Sequence, residues 1–423
     1  MDPARHALAA LAAVGALPFA GAALLARPGL RVGIGERMGL HPRRAPGAVW
    51  VHAASVGEIL AAARLVDELR AAGHGVVTSS VTLSGREVMR RLRPALPCHL
   101  APIDHPWCVE AALARARPAA LALVETELWP CWIAAAERRG VPVVLVSGRI
   151  SDRSYSRYRR LAKLVRPTLA RLRAIGARSE ADAERFRVLG ARPERVSVTG
   201  DLKLEVDPEP APVPPDLERI LAGAPLLVAG STHPGEEEAV LAALAEAERA
   251  GLAVALVVAP RHRDRAAEVA RLVRRSGRRL RRRSSPGAEP LRPGEVLLLD
   301  TLGELPALWR RADVAFVGGT LVGVGGHNVL EPVSAARPVL YGPHTANVRP
   351  AVELVSAAGA GLMLSRAGDL GPALCALLRD PAAARERGLR GQQALRAHRG
   401  SAARAAALVE AVLAEGPALP SEP

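Results

Sequence analysis

Short, continuously apolar runs that end in polar turns and lead into helical periodicity recur along this chain in two series, separated by five prolines within ten residues. In the first series Val49–Ala53, Val76–Ser80, Ala119–Val124 and Val143–Val146 read as strands. Glu58–Ala71, Glu87–Leu92 and Trp132–Arg139 read as helices between and after them. In the second, strands at Leu226–Ala229, Val254–Val258, Val296–Leu299, Val314–Val317 and Val339–Tyr341 alternate with helices at Glu236–Ala250, Arg265–Ser276 and Val329–Ala336. A strand that is apolar throughout has both faces buried, so each series predicts an α/β fold with a parallel sheet covered by helices on both sides. Two such doubly wound units fit 423 residues.

The prolines fall in 207–216 (DPEPAPVPPD), which predicts a linker, since proline removes backbone donors and breaks helices. The expected organisation is an N-terminal segment at 1–30, a first Rossmann-like domain at 31–206, the linker, and a second Rossmann-like domain at 217–423. Arg278–Arg283 (RRLRRR) reads as a solvated loop.

Ala7–Ala26 is uncharged over 20 residues, about the length that crosses a bilayer core. A signal peptide, a single span and a shallow anchor all fit it, and an uncleaved membrane anchor is the reading favoured here. The arginines at 27, 31, 37, 43 and 44 follow it and would hold the body of the chain on the cytoplasmic side.

The formal charge is +15, carried almost wholly by arginine, with lysine only at Lys163 and Lys203. A charge of this size raises nucleic-acid binding as a function. Aromatic residues at 3% leave few stacking platforms for single strands, and a compositional bias towards arginine explains most of the charge. Four cysteines without ligand-like spacing argue against a disulfide framework or a structural zinc site.

Open parallel sheets bind ligands outside the carboxyl ends of their strands, so the chemistry is expected in the strand-to-helix turns facing a cleft between the domains. In the first domain these are His52–Glu58 (HAASVGE), Glu125–Pro130 (ETELWP) and Gly200–Lys203 (GDLK). Glu58 is placed either to complement a helix dipole or to take a proton from an acceptor hydroxyl. Glu125 and Glu127 put two carboxylates at one strand end. No Asp-x-Asp occurs, so a metal-dependent site has no evident ligand set, and neither metal nor cofactor is expected. Lys203 offers a point charge to a developing anion. In the second domain the turn from Ala229 to Glu237 offers backbone N–H groups to an anion. Arg261 is suited to bidentate contact with a phosphate. Gly318, Gly319, Gly325 and Gly326 permit close backbone approach, Asn328 is placed to cap a helix, and Glu331 to accept ribose hydroxyls.

The runs HAASVGE, ETELWP, GRISDRSYSRYRR, GDLKLE, GSTHPGEEE, DTLGEL, FVGGTLVGVGGHNVLEP and YGPHTANV occur in this order between about residues 35 and 350. By these runs the chain resembles the 3-deoxy-D-manno-octulosonic acid (Kdo) transferases of lipopolysaccharide synthesis. The resemblance implies a GT-B glycosyltransferase fold, CMP-Kdo as donor, and the lipid A precursor lipid IVA as acceptor. It implies an inverting displacement at the cytoplasmic face of the inner membrane, with no nucleic-acid partner. Carried over by motif, Glu58 is the proton acceptor, and Glu125 and Lys203 support the transition state. CMP contacts fall on Pro260 and Arg261, on Leu302, Gly303 and Glu304, and on Asn328, Val329, Leu330 and Glu331. Asp201 and Leu204, beside Lys203, depart from the residues common in the family. Glu36 reads as surface ion pairing. The rival readings are another nucleotide-sugar transferase or sugar-nucleotide epimerase of the same fold and, in another class, a basic nucleic-acid-binding protein.

Overall fold

A computed structural model describes residues 32–205, 212–285, 287 and 289–416. The apolar segment Ala7–Ala26, expected as an anchor, lies outside the described residues. No helix among the described residues is long and apolar enough to cross a membrane. The chain divides into two compact units.

The first unit is built on a 7-stranded parallel sheet. Its strands are β1 (Val49–His52), β2 (Val76–Ser80), β3 (Cys98–Leu100), β4 (Ala120–Val124), β5 (Val143–Gly148), β6 (Ala174–Ala177) and β7 (Val196–Val198). Their order is β3-β2-β1-β4-β5-β6-β7, so β1 is flanked by β2 and β4 and the winding reverses between β1 and β4. Alternate residues serve the two helical layers. Trp50, Leu121, Leu123, Leu145 and Ile175 pack to one side, and Val49, Val51, Ala122, Val124 and Val144 to the other. Each valine, leucine or isoleucine among them contributes about 1.5–3 kcal/mol by leaving water, which is what makes the continuous apolar runs strands of a central sheet.

The second unit repeats the design with β8 (Leu226–Thr232), β9 (Ala255–Pro260), β10 (Leu280–Arg282), β11 (Val296–Leu298), β12 (Val314–Val317), β13 (Val339–Tyr341) and β14 (Gly361–Met363). The order β10-β11-β9-β8-β12-β13-β14 puts its reversal between β8 and β12. Leu227, Leu256, Leu298 and Phe316 face one helical layer, and Val228, Val257, Leu297 and Val317 the other.

Three expectations are corrected. The second domain does not run to the C-terminus, because the helix Ser401–Ala414 belongs to the first unit, which among the described residues comprises 32–202 and 401–416. Its Ala402, Ala405, Ala406, Val409 and Val412 form one apolar face, buried with Val49, Val51, Val144 and Val146. The boundary between units falls at Leu202 and Lys203 rather than at 206. The proline run is not wholly non-helical, since Pro215 opens the helix Pro215–Leu221 at a first-turn position where its missing N–H costs nothing.

The arginine run is not a solvated loop either. Leu280–Arg282 is an edge strand paired in parallel with β11. Its arginines find carboxylates on neighbouring elements. Arg279 lies 3.1 Å from Glu295, Arg282 lies 3.7 Å from Asp300, and Arg283 lies 2.7 Å from both Glu304 and Asp216.

Candidate active site

In the first unit the adjacent strands β1 and β4 deliver the expected carboxylates to the point where the winding reverses. After β1, Ser55 caps the helix Val56–Ala71 by accepting the N–H of Glu58. Glu58 closes a reciprocal box, with Oε1 accepting the Ser55 hydroxyl at 2.8 Å and Oε2 accepting the Ala54 N–H at 2.8 Å. The capping role and a functional one therefore coexist on one side chain. The cap fixes where the carboxylate sits and leaves lone pairs on both oxygens.

After β4 the backbone turns sharply at Glu125, which adopts a left-handed φ of 62°. Its N–H still bonds to the carbonyl of Val146 at 2.8 Å, so the strain is held by the sheet itself. Thr126 clasps the chain after β5, donating its hydroxyl to the Arg149 carbonyl. Glu127 accepts the indole N–H of Trp129. Burial, and then the negative charge of Glu58, push the Glu127 carboxyl up to about 7, with Glu125 adding to the effect. The sequence marks Glu127 as one of two carboxylates at this strand end but assigns it no catalytic role. The signal lay in its two acidic neighbours, and only folding brings Glu58 into that set.

Lys203 lies half-buried in the short helix Leu202–Leu204, at the start of the second unit. The preceding turn belongs to the first unit. There Asp201 is buried, with Arg178 at 3.5 Å, and the Leu202 N–H bonds to the Ser147 hydroxyl at 3.2 Å. The departure from the family at Asp201 thus forms a local ion pair.

In the second unit Pro260 ends β9, and Arg261 follows it, exposed, with its N–H on the Thr232 carbonyl at 3.0 Å. Leu302 is exposed and Gly303 has a left-handed φ of 82°. Glu304 is oriented by Arg283 at 2.7 Å and by the Thr301 hydroxyl. Asn328 accepts the Leu330 N–H at 3.0 Å from one position ahead of the expected cap, since Val329 occupies the N-cap of the helix Leu330–Ser334. Glu331 accepts the indole N–H of Trp309 at 3.1 Å and the Asn328 amide at 3.4 Å. Val329 and Leu330 are buried in the core, so their contribution to a nucleotide site is limited to the backbone.

The glycine-rich turn differs from expectation. The N–H groups of Gly319, Thr320 and Leu321 are already engaged. The buried carboxylate of Glu236 already accepts from Gly319 at 2.7 Å, Thr320 at 3.0 Å and Leu321 at 2.9 Å, and from His233 at 2.9 Å in the turn after β8. An internal anion fills the nest and ties the turn after β12 to the turn after β8, across the reversal of the sheet. A side chain at 318 would meet the Ser231 carbonyl at 2.4 Å, so only glycine permits this closure. Glu237, also buried, accepts from the Thr232 hydroxyl at 2.8 Å and from Arg265 at 2.7 Å.

Both units thus carry their polar turns where an open parallel sheet binds ligands. Residues 32–206 match the family described as 3-deoxy-D-manno-octulosonic-acid transferase (kdotransferase). The 3-deoxy-D-manno-octulosonic acid transferase of Bordetella pertussis is 38% identical over 81% of this chain and 81% of its own. That of Haemophilus influenzae is 32% identical over 91% of this chain and 92% of its own. The crystal structure of MurG from Acinetobacter baumannii superposes with a TM-score of 0.55 at 12% identity, covering 87% of this chain and all of that one, which supports the GT-B architecture alone. The chain belongs to the 3-deoxy-D-manno-octulosonic acid transferase family and is a glycosyltransferase of the GT-B fold.

Proposed function

We propose that the chain moves Kdo from CMP-Kdo to lipid IVA, with inversion at the anomeric carbon. The observation that carries this reading is the convergence of the SVGE and ETELWP turns on adjacent strands at the reversal of the first sheet. Glu58 accepts the proton of an acceptor hydroxyl, and the oxygen forms a bond to the anomeric carbon as the bond from that carbon to the CMP phosphate breaks. Glu125 and Lys203 support the transition state. Pro260, Arg261, Leu302, Gly303, Glu304 and Asn328–Glu331 hold the nucleotide. The leaving group is a phosphate, already stable as an anion, and arginine supplies the compensating charge.

The acceptor is a lipid, and the reading places the enzyme on the cytoplasmic face of the inner membrane. Supporting this, Ile34, Met38, Leu40, Ile103 and Trp107 are exposed on segments that touch one another in the first unit. The Ile103 N–H bonds to the Arg37 carbonyl at 2.8 Å, and the sulfurs of Met38 and Cys108 lie 4.0 Å apart. An apolar patch with a tryptophan among arginines suits a bilayer surface.

Mass spectrometry of the lipid after incubation with CMP-Kdo and lipid IVA tests the activity. A product heavier by one or more Kdo residues is expected. No product with CMP-Kdo, or turnover of a uridine-linked sugar in its place, would sink the reading.

A further inference from the structure

Three histidines stand at the strand ends of the second unit, outside every role assigned above. His233 follows β8, His262 follows β9, and His327 precedes the helix Leu330–Ser334. Nε2 of His233 lies 2.8 Å from Nε2 of His327, and the two ring planes are 8° apart. His262 meets the His233 ring edge-on, with centroids 5.6 Å apart. At 2.8 Å two imidazole nitrogens share a hydrogen, so one ring donates and the other accepts. The neutral pair therefore holds one proton between the rings and has room for one more.

The site is built for this contact. Gly319 has a left-handed φ of 70°, and a Cβ there would lie 2.9 Å from Cδ2 of His327 and 3.1 Å from its Nε2. The turn carrying Gly319 is fixed by Glu236, which also holds the His233 N–H, so one buried carboxylate sets the approach of both rings. The charged and titratable groups facing the pair are known. Arg261, His262 and His233 face His327, while Glu236, His262, Arg265 and Glu237 face His233. Burial, then the Arg261 charge, hold His327 down to about 4, and burial holds His233 below its ordinary value.

We propose that the His233–His327 pair takes up one proton when a nucleotide phosphate binds beside Arg261, and returns it to solvent when the nucleotide leaves. The reason is electrostatic. Next to Arg261 alone a second cation is disfavoured, and a phosphate at Arg261 reverses the sign of the local field. The proton comes from solvent and no covalent bond to the sugar is involved. The proposal rests on the reading of this unit as the CMP-Kdo unit. In that reaction the phosphate passes from a singly charged diester to a monoester that carries a second charge. A receptor that gains positive charge with the ligand holds the departing CMP more firmly than the donor, so product release becomes pH-dependent.

Calorimetric titration of the full chain with CMP near pH 7, in two buffers of different ionisation enthalpy, counts the protons taken up. Half a proton or more per CMP is expected, roughly, beyond the small share from the phosphate's own second ionisation. Cytidine without its phosphate is expected to cause none. In His327→Gln and in His233→Gln, checked for an unchanged melting profile, the uptake is expected to fall to the phosphate's share, with CMP bound at least about twofold more weakly. No uptake by the wild type beyond that share, or undiminished uptake in either folded variant, would overturn the proposal. Uptake on UDP with no binding of CMP would refute the cytidine reading and keep the histidine pair. CMP binding without uptake would do the reverse.

Discussion

At the carboxyl ends of its strands the second unit satisfies its acids with donors: four backbone N–H groups hold Glu236, Arg265 and Thr232 hold Glu237, and Arg283 and Thr301 hold Glu304. At the same place in the first unit acids face acids. Glu127 is raised by burial and then by Glu58 and Glu125, and the turn carrying them bends through a strained residue. Both sheets are parallel and each reverses its winding beside its first strand, so that shared feature does not explain the difference. On the function proposed above, the second unit holds a nucleotide and gains from rigid, fully paired turns. On the same proposal, the first unit takes a proton from the acceptor and needs a carboxylate held ready beside others of like charge, at a cost that the surrounding sheet absorbs.

The comparison breaks most visibly at Glu58. In Glu58→Gln the amide retains an oxygen for the cap and loses the proton-accepting charge. Transfer is expected to fall by about 10³-fold, within the range of general-base contributions, while CMP affinity stays within roughly twofold. Product formation and CMP titration measure the two separately, and undiminished turnover would remove Glu58 from the role.

Next in size is Glu236→Gln. A glutamine there presents N–H groups to N–H groups, leaving buried donors unpaired at about 1–3 kcal/mol each. A loss of about 3 kcal/mol in stability is expected, with faster hydrogen exchange at Gly319, Thr320 and Leu321. A neutral outcome would show that the second unit is not organised around its buried carboxylate.

How the chain announces these features in sequence differs between centre and edge. The central strands were legible: Val76–Ser80, Val314–Val317 and Val339–Tyr341 fall where the apolar runs predict. The strands not foreseen include all four sheet edges, β3, β7, β10 and β14. An edge strand buries less, so it can be as short as Cys98–Leu100 or as charged as Leu280–Arg282, and no apolar run marks it. The crossing of Ser401–Ala414 into the first unit was illegible for a related reason. Its alanine-rich face fits either sheet, and only the fold selects one. At the site, motif positions were readable but electrostatics were not. Nothing in the order of residues says that Glu236 occupies the glycine-rich nest or that His233 reaches His327.

A smaller effect tests the frustration of the first unit directly. The Glu127 pKa is raised from 4.5 to about 7, so the folded state favours the protonated acid. The associated stability is full below about pH 4.5 and is lost as pH rises through about 7. Glu127→Gln removes that loss. It is expected to stabilise the protein by about 1 kcal/mol at pH 8, discounting for partial exposure, and to change nothing near pH 5. Thermal melts of both proteins across this range decide it, and equal pH dependence would mean that Glu127 is not under repulsion.

The smallest effect has the opposite sign and comes from the same sheet. Glu36 makes the ion pair expected of it, with its Oε2 2.8 Å from Arg86, and the same oxygen accepts the Leu100 N–H at 2.7 Å, which clasps the helix Ile34–Arg37 to β3. Burial alone would raise its pKa, but the Leu100 N–H and the Arg86 charge outweigh burial and hold it below its ordinary value. Its stability is therefore present above pH 4.5 and lost as pH falls through the lowered value. Glu36→Gln is expected to cost about 0.5–1 kcal/mol at pH 7, as partly exposed pairs do, and to leave transfer unchanged. If Glu36→Gln lowers stability at neutral pH while Glu127→Gln raises it, the repulsion belongs to the turns after β1 and β4. Were both variants to shift stability in one direction, it would belong to the unit as a whole.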